Sequence, residues 1–150
     1  MTMDNLAWHY HPVHASDFFI RVDLSAHGMP DRFEQLWAKR EKDRIFQICC
    51  VPFFAYGIAL GDLVETDDEC TFQRIVSKGG HKTLRIAVAK RTDEAHLHTV
   101  CHEWVVQSGL LHEWYSDGYL AVDLPPDEGL DAKNMQILDE LEQSGAICVE

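Results

Sequence analysis

Leu111-His-Glu-Trp-Tyr-Ser-Asp-Gly-Tyr-Leu-Ala-Val-Asp-Leu124 is the stretch on which the fold turns. Apolar residues run up to the Asp117-Gly118 pair and resume beyond it, and Asp-Gly readily adopts the positive backbone angles of a tight hairpin turn. The spacing predicts strands over Leu111 to Tyr115 and Gly118 to Leu124. Upstream, Thr83 to Lys90 reads as a strand. A helix follows from about Asp93 to Gln107, where Leu97, Val100, Cys101, Trp104 and Val105 fall at helical spacing and Gly109 offers a left-handed cap. Downstream, a helix capped by Asp131 carries Met135, Leu138 and Leu141 inward and stops at Gly145, before a last strand from Ala146 to Val149. Strand, helix, strand, strand, helix, strand is the order of a ferredoxin-like βαββαβ unit.

Working back toward the N-terminus, Phe18, Ile20, Val22 and Leu24 alternate with less apolar neighbours and predict a half-buried strand. Pro30 then opens an expected helix carrying Phe33, Leu36, Trp37 and Arg40 at three- and four-residue spacing. Arg44 to Ala55, apolar on both faces, reads as a central strand that Pro52 bulges or ends. Shorter strands are expected over Leu60 to Glu65 and Thr71 to Ser77. The fold class is therefore α+β. Residues 1–79 form a small mixed, mostly antiparallel sheet with one helix, packed beside a ferredoxin-like acidic unit at 80–150. Gly79-Gly80 is the joint, and the whole is one compact unit.

A chain of 150 residues buries enough surface to fold without staples. Its five cysteines show no CxxC spacing and read as reduced thiols. The longest apolar run, Ile48 to Gly61, is interrupted by Pro52 and Gly57 and is too short to span a bilayer. The first residues lack a basic start followed by an apolar run, so no secretory signal is read and a cytoplasmic setting is expected.

Three stretches carry a family resemblance: Glu34-Gln-Leu-Trp37-Ala, Val51-Pro-Phe-Phe-Ala-Tyr-Gly-Ile-Ala-Leu-Gly-Asp-Leu-Val64, and Ser77-Lys-Gly-Gly-His-Lys-Thr-Leu-Arg85. With these the chain resembles the bacterial family catalogued as domain of unknown function 4265. The resemblance brings no established activity. It implies a compact bacterial intracellular protein, and it is compatible with an immunity role beside a toxin gene.

Charge is the strongest functional signal. The net charge is −12, and from Thr92 to Glu150 thirteen acidic side chains face the single cation Lys133. Such a surface repels phosphates and steers cationic partners toward itself. Nucleic acid is excluded as a partner on that ground, even though Tyr115 and Tyr119 could offer stacking platforms on an open sheet face. No membrane contact is expected.

Motifs of catalysis and ligation are weak. Asp62, beside a glycine-rich turn and near Phe53 and Phe54, is the first carboxylate to suspect as a base, yet Asp in such turns commonly ties backbone amides. Gly79-Gly80-His81-Lys82-Thr83 lacks the first glycine of a phosphate loop and precedes a strand where that motif needs a helix. His98 and His102 share a helix face without the H-E-x-x-H pattern, and His96 points elsewhere. His9, His11 and His14 cluster near the N-terminus, where a surface arm is the plainer reading. Cys101 and His102 diverge by about 100° and make no dyad. No catalytic residue, cofactor or metal is assigned. The leading expectation is a non-catalytic protein-binding module, most concretely an acidic immunity-type protein that neutralises a cationic toxin. Its partner-binding residues would be Glu113, Asp117, Asp127, Glu128, Asp131, Asp139 and Glu140. The alternatives are a small-ligand-binding regulatory domain with a pocket near Trp37, Phe53 and Tyr56, and an enzyme using Asp62.

Overall fold

The computed structural model describes residues 6–9, 12 and 16–150. Strands before Lys78 make one sheet and strands from Lys82 onward make a second, so the protein is α+β with mostly antiparallel pairing. The first sheet contains β1 (Leu6–Ala7), β2 (Phe18–Asp23), β3 (Phe33–Lys42), β4 (Ile45–Ile48), β5 (Leu63–Thr66) and β6 (Phe72–Ser77). Neighbours follow the order β1-β3-β4-β5-β6, and β2 lies antiparallel to β3 from Phe18 opposite Ala38 to Asp23 opposite Phe33. The Arg21 amide donates to the Cys70 carbonyl at 2.9 Å, which brings β2 alongside the start of β6 and curls the sheet back on itself. Ile20, Val22, Leu24, Leu36, Phe46, Ile48 and Val64 fill the space it encloses.

The helix expected after Pro30 is absent, and its residues form β3. Among the described residues the first half has no α-helix, only a 3-10 turn at Ser25–His27 that Gly28 closes at φ 80°. Phe33, Leu36, Trp37 and Arg40 do fit a helical stripe, but Glu34, Leu36 and Ala38 are the residues fully buried, and they lie two apart. A buried Glu disguises this alternation because an acid reads as a surface residue. Six paired positions along β2 decide in favour of the strand. Polar residues 40–44, expected to end a helix, instead turn the β3–β4 hairpin, with Asp43 at φ 38°. The strand expected from Arg44 to Ala55 ends at Ile48, and residues 49–55 follow an irregular, largely buried path that surfaces at Tyr56.

The second sheet holds β7 (Lys82–Val88), β8 (His112–Ser116), β9 (Tyr119–Leu124) and β10 (Ile147–Val149) in the order β10-β7-β9-β8, every neighbouring pair antiparallel. Two helices, α1 (Glu94–Ser108) and α2 (Ala132–Gln143), connect them. Gly109 ends α1 at φ 72°, and the Asp131 carboxylate accepts the Asn134 amide at 2.8 Å to cap α2. Leu97, Cys101, Trp104 and Val105 from α1 and Leu138 from α2 join one cluster with Ile86, Val88, Leu120 and Val122, so both helices cover the same face. The other face presents Arg85, Tyr119 and Ala121 to residues 51–54 of the first half.

Gly79 stands where the two sheets meet. A Cβ there would lie 2.8 Å from the Gly61 carbonyl oxygen, a backbone atom that cannot step aside cheaply. Gly79→Ala is therefore expected to cost about 1–3 kcal/mol. Gly129→Ala, with nothing within 4 Å of its Cβ, should change stability by less than about 0.5 kcal/mol. Urea denaturation of the two variants checks this, and equal midpoints would refute the close approach.

Candidate functional site

The Cys49 amide still donates to the Trp37 carbonyl of β3 at 2.8 Å, but residues 50–55 carry backbone polar groups into the interior beyond the sheet, and such groups must find partners elsewhere. Two carboxylates take the amides. Glu34 on β3 accepts the amides of Phe53 on Oε2 (2.7 Å) and of Phe54 and Ala55 on Oε1 (both 2.9 Å). Glu113 on β8 accepts the amide of Val51 on Oε2 at 2.6 Å. The carbonyls go to the second sheet: Arg85 donates to Phe53 O at 2.7 Å and to Pro52 O at 3.3 Å, and the Tyr119 hydroxyl donates to Phe53 O at 2.8 Å. The guanidinium also lies 4.5 Å from the centre of the Tyr56 ring.

His9 sits between the two acids. Its Nε2 donates to Glu34 at 2.7 Å and its Nδ1 to Glu113 at 2.8 Å, while its ring stacks on Phe53 at 4.1 Å and 5°. Trp37 Nε1 donates to the His9 carbonyl at 3.1 Å and fixes the segment behind the ring. The imidazole and Glu34 are closed to solvent, and Glu113 is 13% exposed. Burial alone would push the His9 pKa down. The hydrogen bonds and charges of Glu113 and Glu34 outweigh it and push the pKa up to about 9, so the ring is an imidazolium held between carboxylates. Cys50 completes the group as a fully buried thiol, which burial and the two acids hold well above its ordinary pKa.

The residues singled out in the sequence are distributed differently. Asp117, Asp127, Glu128, Asp131, Asp139 and Glu140 are exposed on the second half. Glu113, expected among them, points inward, because the Val51 amide and His9 both require its carboxylate. Asp62 is buried and ties a turn: it accepts the Ala59 and Gly79 amides and the Lys78 ammonium, each at 2.9 Å. His98 and His102 share a face of α1 with ring centres 6.2 Å apart, and His112 comes within 6.5 Å of His102. His98 Nδ1 donates to the Asp117 carbonyl and His112 Nδ1 to that of Leu110. His11 and His14 lie outside the described residues. A cleft of 150 Å³ between the halves is lined by Met29, Phe54, Tyr56, Arg85, Tyr119 and Glu150. Phe53 is fully buried, and Trp37 is partly buried, packed against the first-half core and against the Phe19 ring at 3.9 Å.

Sequence reading missed Glu34 because the helix placed it on a solvated face, and missed His9 because its neighbours suggested an arm. The available signal was the alternation Glu34-Leu36-Ala38, in which the acid takes an inward position.

Removing Glu34 leaves an imidazolium half-paired and three amides bare. Glu34→Ala is expected to cost about 3–5 kcal/mol, and a loss under about 1 kcal/mol in chemical denaturation would show the network to be dispensable. His9 gives a pH signature. The native state holds a proton that the unfolded chain releases near pH 6.5, so the stabilisation is complete below that pH and is lost as pH rises through about 9. The expected decline is about 3 kcal/mol. Urea midpoints of metal-free protein measured from pH 6 to 9 should fall in the wild type and flatten in His9→Gln; a flat metal-free wild-type profile would refute a buried imidazolium.

The same architecture occurs in a solved structure described as "Novel crystal structure of a hypothetical protein from Neisseria gonorrhoeae", at 20% identity and a TM-score of 0.64, covering 91% of this chain and 95% of that one. At that identity the likeness is one of fold. No curated protein matches the chain. The family described as Domain of unknown function (DUF4265) matches residues 34–149, from the buried acid of β3 to the end of β10. The chain belongs to the DUF4265 family.

Proposed function

We propose that the protein is a non-catalytic, cytoplasmic protein-binding module whose acidic half docks a cationic protein, with neutralisation of a cationic toxin as its most concrete form. One observation carries this reading. In the region from Glu65 to Asp93, Arg21 reaches Glu69, Arg44 reaches Asp68, Arg74 reaches Glu65 and Arg91 reaches Asp93. Beyond Asp93, among the described residues, no exposed carboxylate has a Lys or Arg within ion-pair distance. Asp127, Glu128, Asp139 and Glu140 thus project a field that the chain itself does not neutralise, which is the condition for steering an oppositely charged partner.

The frame for that surface reads as a ferredoxin-like unit. Its support is the strand order β10-β7-β9-β8, with both crossover helices on one face. The loop before α2 and the outer side of α2 then present the acids on a rigid support. The non-catalytic reading is supported by the two buried acidic centres, since the carboxylates of Asp62 and Glu34 are taken up by amides and cations of the fold.

The test uses Asp117→Asn, Asp127→Asn, Glu128→Gln and Asp139→Asn in one variant, all exposed positions whose side chains hold no part of the core. The wild type, immobilised, should retain a specific basic protein from the source cell, with an association rate that falls as salt rises. The variant should lose at least about tenfold in affinity, equivalent to about 1.4 kcal/mol. Asp68→Asn, at an exposed position of the first half, serves as the control for a change away from the acidic face. Unchanged affinity in the fourfold variant would reduce the acidic half to a solubility feature.

A further inference from the structure

We propose that His9, Cys50 and Glu113 form a buried site for a divalent transition-metal ion, zinc by the character of its donors, which clamps the N-terminal segment and the 49–56 loop to β8. One donor atom from each of the three residues lies within 4.8 Å of the others. Bond lengths of about 2.0–2.3 Å in a tetrahedral site place neighbouring donors roughly 3.3–3.7 Å apart, so Cys50 Sγ has to move inward by about 1 Å. His9 Nδ1 and Glu113 Oε1, now 2.8 Å apart, have to open slightly. Nitrogen, thiolate sulfur and carboxylate oxygen together are a donor set that suits zinc and disfavours magnesium or calcium.

The surroundings are those of a supported ligand set. Glu34 Oε2 holds His9 Nε2 at 2.7 Å and is itself fixed by the loop amides, the carboxylate-to-histidine arrangement that orients a metal-binding imidazole by its far nitrogen. That leaves Nδ1 to face the ion. Glu113 is pinned in the same way: Oε2 takes the Val51 amide at 2.6 Å, and Oε1 is left toward His9. Cys50 Sγ has only a long contact, 3.9 Å, to the Trp37 carbonyl.

Charge favours a cation here. The carboxylates of Glu34 and Glu113 both lie against His9 in this interior, and their negative charge offsets part of the desolvation cost that a cation meets on entering a dry site. Because His9 and Cys50 are buried and Glu113 is only 13% exposed, loading should occur during folding rather than on a folded protein.

The experiment refolds the full chain from urea with one equivalent of Co2+ or Zn2+, removes free metal by gel filtration, and measures bound metal by mass spectrometry. The expected result is one ion per chain, with Co2+ giving a thiolate-to-metal charge-transfer band. Cys50→Ser should abolish the band and weaken retention at least about tenfold, Glu113→Gln should weaken retention, and Cys148→Ser, an exposed thiol, should leave both unchanged. Substoichiometric metal or a missing thiolate band in the refolded wild type overturns the proposal, whatever the variants do. Retention unchanged by Cys50→Ser overturns it as well.

Discussion

Eight residues without regular structure lie between two sheets, and the fold depends on satisfying their backbone. An unpaired buried amide or carbonyl costs about 1–3 kcal/mol, and this loop carries several of each. The first half of the chain supplies the Trp37 carbonyl and the Glu34 carboxylate, and the second half supplies Glu113, Arg85 and Tyr119. Two carboxylates so close together would repel one another in a dry interior; the His9 imidazolium placed between them converts that repulsion into attraction. The result is a polar network in which every member answers to another, and such networks fix geometry when complete and are costly when broken.

The second half was legible in its sequence because local signals agreed with the tertiary demand. Asp117-Gly118 marks a hairpin, Gly109 and Gly145 end helices at positive φ, and Asp131 caps α2 as its position suggests. The first half resisted for one physical reason: its decisive residue is a buried acid. Glu34 breaks the apolar alternation of β3, and the surviving apolar residues then mimic a helical stripe. Glu113 was misplaced for the same cause, being read as surface because acids usually are. Both errors concern carboxylates that exchange water for backbone amides, a substitution that composition and periodicity cannot register. Asp62 was read correctly because its partners, Ala59 and Gly79, belong to turns that the nearby glycines announce.

The acids of this chain therefore do two kinds of work that the net charge of −12 conceals. Those inside are spent on amides and cations and set the relation of the two sheets. The exposed ones beyond Asp93 have no Lys or Arg within ion-pair distance among the described residues. No helix among the described residues is long and apolar enough to cross a membrane.

The bond between His9 and Glu113 joins residues 104 positions apart. On a ribosome the early strands emerge long before β8 exists, so His9 must wait with one of its two acids missing, and the Val51 amide with no acceptor at all. The curled sheet can collapse on its own apolar residues, yet its interior seam stays wet until the last third of the chain arrives. A chain that ends before β8 therefore lacks the acceptor that His9 and the Val51 amide share, and the N-terminal half can complete its interior seam only when the second half is present.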